Sequence, residues 1–210
     1  MEGILEPPDR AEVVCERPPL AYPAALRALA GCFVSTARLL RQRRLHLPAE
    51  RVGTRLRFAD GSSAPVYRET AVDRGATVDP CVLVVTFRLR AVRGRGHAAF
   101  RRESLLNTPL FAGFPGLVSK LWLADDERGR YRGLYEWDDP RLAESYARAL
   151  CRVLALVSAR GSIHYVVLPG LRRDALLARP QAGPAAGLAA GPAAGAGTGA
   201  GAWWRLTGVA

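Results

Sequence analysis

Apolar residues fill almost every position of VLVVTFRLR (82–90), and a similar density returns at 117–124 and in SIHYVVLPG (162–170). Short apolar runs bounded by turn residues predict strands covered on both faces. A charged, glycine-containing turn, DDERGR, joins the second of these strands to another at 131–137. Helical spacing predicts helices at HAAFRRESLLN (97–107) and PRLAESYARALCRVLALVSA (140–159). The longer one starts at Pro140, just after the acidic pair Asp138 and Asp139, as helix starts prefer. The order is β-α-β-β-α-β, the ferredoxin-like plan of the α+β class.

In that plan both helices lie on one face of an antiparallel sheet and the other face is open. Leu83, Val85, Phe87 and Leu89 are expected to face the helices, and Val82, Val84 and Thr86 the opposite side. In the next strand Leu121 and Leu123 share one side, Val118, Lys120 and Trp122 the other. Both sides are largely apolar, so a ligand, a partner subunit or the N-terminal extension is expected to cover the open face.

The flanks read differently. Residues 1–80 form an N-terminal extension: a proline-rich irregular lead-in to residue 23, a helix from Pro23 to about Arg44, and a hairpin around Asp60-Gly61. Leu26, Leu29, Ala30, Phe33, Ala37 and Leu40 mark the apolar stripe of the helix, which ends in the basic RQRR. It is expected to dock on its own domain rather than on a membrane surface. Residues 81–179 form the ferredoxin-like domain. Residues 180–210 are expected to be a disordered, dispensable Ala/Gly/Pro tail; for its closing AWWRLTGVA, with Trp203 and Trp204, the alternative is a short docking peptide.

Composition changes this picture in two places. The formal charge of +11 invites a nucleic-acid or membrane partner, but 29 of the 30 basic residues are arginine in an Ala-, Gly- and Pro-rich chain, the pattern of a GC-rich coding bias. An RNA recognition motif shares the strand order, yet Leu134 and Glu136 stand where its third strand needs aromatics, so a small-molecule ligand is preferred. The four cysteines have neither CxxC spacing nor a nearby histidine, so neither a metal site nor a disulfide framework is expected. The acidic, proline-rich start lacks the pattern of a secretory signal, which makes the cytoplasm the expected compartment.

The one lysine, Lys120, lies two residues before Trp122, on the same side of a strand. Residues 82–170 resemble the small putative mono-oxygenases of the dimeric α+β barrel superfamily, relatives of antibiotic-biosynthesis monooxygenases. The resemblance is carried by Pro115-Gly116, by Lys120 and Trp122 in a KxW pattern, by Gly133 and Tyr135 in a GxY pattern, and by the Ala-Glu-Ser-Tyr helix at 143–146. It covers under half of the chain. It implies a homodimer paired through the open faces and a pocket between sheet and helices, where an electron-rich aromatic substrate is oxidised by dioxygen without a cofactor. The haem-degrading branch has a histidine nine positions after a strand-closing tryptophan; here Tyr146 follows Trp137 at that spacing, so no haem is expected. On this reading Lys120 stabilises a substrate anion, and Trp122, Tyr135, Trp137 and Tyr146 bind the substrate by stacking. The alternatives are that Lys120 snorkels to the sheet edge or pairs with Glu136 while the aromatics are core, leaving a catalytically silent ligand-binding or structural protein.

Overall fold

The computed structural model describes residues 13–14, 21–180 and 203–210, except 76, 91, 93, 95, 98, 99, 101, 103–107, 109 and 110. The fold is α+β. Nine strands form one antiparallel sheet: β1 (Val13–Val14), β2 (Leu45–His46), β3 (Arg55–Phe58), β4 (Ser63–Val72), β5 (Cys81–Arg88), β6 (Leu117–Leu123), β7 (Arg130–Trp137), β8 (His164–Pro169) and β9 (Leu206–Val209). Their order is β1-β8-β5-β7-β6-β4-β3-β9, with β2 pairing the end of β4. The helices are α1 (Tyr22–Arg41), α2 (Pro140–Val157) and α3 (Arg173–Ala178). The helix expected at 97–107 falls mostly outside the described residues; His97, Phe100 and Arg102 are helical.

The extension does not stand apart from the domain. β4 pairs with β6 from Val66 to Ala71, so the hairpin around Asp60-Gly61 continues the same sheet. Gly61 holds φ at +78°, a value that glycine adopts without strain. The lead-in, expected to be irregular, contributes β1 to the far edge, where it pairs with β8.

α1 forms where the periodicity places it, but it buries a different stripe. Leu26 and Phe33 are 64% and 57% exposed, whereas Ala25, Cys32 and Thr36 are buried. The cause is close backbone approach. A Cβ on Gly113 would lie 2.0 Å from the Cys32 carbonyl oxygen and 2.6 Å from the Thr36 nitrogen, so the loop before β6 rests directly on the helix backbone. Only small side chains fit that seam. α2 starts as expected: the Asp139 carboxylate accepts from the Arg141 N–H at 2.6 Å.

The face opposite α1 and α2 is covered within the chain. Val82, Val84, Leu121, Leu134 and Val166 pack there against α3 residues Leu176 and Leu177 and against Trp203, Trp204 and Leu206. Residues 181–202 lie outside the described residues. Beyond them the expected disordered tail is instead a docked strand: β9 pairs with β3, and Trp203 and Trp204 are only 8% and 7% exposed. Two indoles and a leucine bury apolar area there, which offsets the entropy of ordering the strand. The face through which a dimer is expected is lined, within the chain, by α3 and β9.

Candidate functional site

β6 presents Lys120 and Trp122 to the helix side, opposite Thr70 and Arg68 of β4 and opposite Tyr135 and Gly133 of β7. The Lys120 side chain is buried, 6% exposed, and its Nζ sits 3.1 Å from the Trp122 ring centroid. Phe111 and Tyr135 complete an aromatic cage, their centroids 4.4 and 4.6 Å from Nζ. The Arg68 guanidinium lies 3.7 Å from the Trp122 centroid. The indole is held in register by its own N–H, which donates to Thr70 Oγ1 at 3.1 Å.

Among the described residues no carboxylate lies within ion-pair reach of Nζ. Glu136 points to the other face, where it accepts from the Arg173 backbone N–H at 3.2 Å. The two bland placements of Lys120, snorkelling to the edge and pairing with Glu136, are thus not what the fold adopts. Burial, reinforced by the positive charge of Arg68, holds the amine well below the usual lysine range. Burial likewise pushes Tyr135 and Tyr146 up, so both phenols stay neutral. The Tyr146 hydroxyl donates to that of Tyr135 at 3.3 Å.

These groups line one end of a cavity of about 690 Å³ between the sheet and α2, within the size range of sites for small organic ligands. Lys120, Trp122, Tyr135 and Tyr146 are in its wall. Trp137 is not: it is fully buried, packs 4.9 Å from Tyr146 and belongs to the core beyond the cavity. Phe111, Phe114, Tyr67 and Leu29 also line the lysine end, and Phe87, Tyr131, Arg90 and Phe100 the other. There His97 Nδ1 lies 2.7 Å from the Tyr131 hydroxyl and 3.6 Å from Asp125. Gly133 shapes the floor, since a Cβ there would meet the Tyr135 ring at 2.6 Å.

Phe111 and Phe114 escape sequence reasoning because they sit in an irregular loop with no period, and Arg68 because the β4–β6 register is not written locally. Among the described residues no three His, Cys, Asp or Glu side chains converge as metal ligands, and no helix is long and apolar enough to cross a membrane. No protein-family model matches the chain, and no curated protein matches its sequence.

Proposed function

We propose that this protein binds a small acidic aromatic molecule, a phenol or quinol, in the Lys120 cavity and promotes its oxidation by dioxygen without a cofactor. The observation that carries the reading is a buried amine without a carboxylate partner in the wall of an aromatic cavity. A phenol more acidic than the two wall tyrosines can pass its proton to the amine once it is bound. The resulting ammonium–phenolate pair has no net charge, so the ligand supplies the counter-ion that the protein lacks. The phenolate is the electron-rich species that dioxygen oxidises: one oxygen atom becomes a quinone oxygen, and the other leaves as water with two substrate hydrogens. Trp122 and Tyr135 offer flat faces for stacking.

A ferredoxin-like unit made by β5, β6, β7, β8 and α2 is part of the same proposal, supported by the sheet order β8-β5-β7-β6 and by the mono-oxygenase resemblance of residues 82–170. The covered second face leaves no open sheet for RNA, which favours the small-molecule reading.

The test is titration of the protein with 2-naphthol and a panel of quinols, monitored by tryptophan fluorescence, with oxygen uptake measured in parallel. Saturable binding and uptake, both lost in Lys120→Met, are expected. No binding by any of them would overturn the reading. Binding with no oxygen uptake would leave the catalytically silent, ligand-binding alternative.

A further inference from the structure

The environment of Lys120 suits a second kind of chemistry, resting on the same reading that small aromatics reach this cavity. We infer that Lys120 is a nucleophilic amine that condenses reversibly with the carbonyl of an aromatic aldehyde or ketone. Three observations converge on it. Lys120 is one of the residues that form the cavity wall. It rests on the Trp122 face with Phe111 and Tyr135 around it and has no carboxylate to hold it protonated. A second cation, Arg68, shares the Trp122 ring and further disfavours an ammonium. Desolvation beside another positive group is a general way to make a lysine nucleophilic near neutral pH.

The step is balanced without any co-reactant. The Nζ lone pair forms a bond to the carbonyl carbon, and the carbonyl π pair moves to oxygen, which takes up a proton released by nitrogen. The carbinolamine then loses its hydroxyl together with the remaining N–H proton as water, leaving a C=N bond. Nothing is oxidised or reduced, and water reverses the reaction. The aromatic walls and the volume of about 690 Å³ fit a carbonyl borne on one or two fused rings.

The sequence makes the test clean, because the only other primary amine of the chain is its N-terminus. The full chain is incubated at pH 7 with 2-naphthaldehyde and sodium cyanoborohydride, which fixes an imine as a secondary amine, and the adduct is mapped by peptide mass spectrometry. One adduct per chain at Lys120 is expected, formed at least about tenfold faster than at the same residue in the urea-unfolded protein, where an ordinary lysine is almost wholly protonated. Excess 2-naphthol should slow it. Lys120→Arg should give no adduct there, and if that variant fails to fold, the comparison of folded with unfolded wild type decides alone.

An adduct at the N-terminus only, or equal rates folded and unfolded, overturns the inference. If 2-naphthol still binds in that case, the cavity reading stands; if neither probe binds, both fall. An adduct at Lys120 without phenol binding or oxygen uptake upholds the inference and removes the oxidation.

Discussion

Cations are buried on both faces of the sheet, and their surroundings differ. On the face covered by α3 and the C-terminal strand, Arg132 Nη1 donates to Asp126 at 2.9 Å and Nη2 to Asp60 at 3.0 Å. Arg130 reaches the same two carboxylates at 3.0 and 2.7 Å, and Arg173 meets Glu69 at 2.6 Å. Burial alone would raise Asp60, but hydrogen bonds from Ser62 and the charges of Arg132 and Arg130 hold it below its usual range. On the helix side Lys120 meets only rings, a second cation and a cavity. A matched buried charge pins one arrangement of the chain; a buried amine with no such match gives up its proton more readily and retains reactivity. The first pattern is what a structural face needs, and the second is what a site needs.

That contrast can be broken most severely at the C-terminus. Truncation after Arg179 removes β9 and both buried indoles, each a side chain whose loss typically costs about 3–5 kcal/mol. Cooperative thermal unfolding should be lost, or Tm should fall by more than about 10 °C. A change of a degree or two would show that the second face does not depend on this strand.

Asp126→Asn leaves Arg130 and Arg132 short of a buried partner. It should cost roughly 3–5 kcal/mol, a fall in Tm of roughly 6–20 °C at neutral pH. Asp60 adds a pH signature. Its folded value lies below its unfolded one, so its contribution is present above about pH 4 and is lost as pH falls through the lower, folded value. Acid unfolding of Asp60→Asn should therefore be less steep than that of wild type.

Lys120→Met should act in the opposite direction. The folded amine titrates below the unfolded one, so between these two values the unfolded chain holds the extra proton and stability rises with pH. Removing the amine should raise Tm at pH 7 by roughly 2–4 °C or more, and the gain should shrink as pH approaches 10. A variant less stable than wild type at pH 7 would mean that the cation–π contacts outweigh desolvation.

The smallest effects divide the aromatics. Trp122→Leu should weaken 2-naphthol binding by about two- to tenfold, given stacking worth roughly 0.5–1.5 kcal/mol, whereas Trp137→Phe should change affinity less than twofold. Equal losses would mean that Trp137 reaches the ligand after all.

The strands at 81–88, 117–123, 130–137 and 164–169 were legible as short apolar runs bounded by turn residues, and the helix at 140–157 by its helical spacing. That Lys120 and Trp122 share a side was legible because side chains alternate along a strand. The helix-side orientation of Leu83 and Val85 was legible too, and both belong to the core beneath α2. The stripe of α1 was not, because alanine, cysteine and threonine were placed there by closeness of backbones and not by hydropathy. The docking of Trp203 and Trp204 was hidden because the low-complexity stretch before them carries no sign of a strand beyond it. Trp137 shares the face of Tyr135 but lies past the end of the cavity, a distance that periodicity along one strand does not encode.

The seam at Gly113 also governs motion. With a carbonyl and an amide of α1 lying where any side chain at 113 would have to be, the helix and the loop carrying Phe111 and Phe114 move together or not at all. Arg74 ties the same loop down, donating through Nη2 to the Phe114 carbonyl at 2.8 Å and through Nε to that of Leu117. The wall of the cavity at the lysine end is therefore a loop fastened on one side to the backbone of α1 and on the other to Arg74, so that the cage around Lys120 keeps its shape only as long as α1 keeps its place.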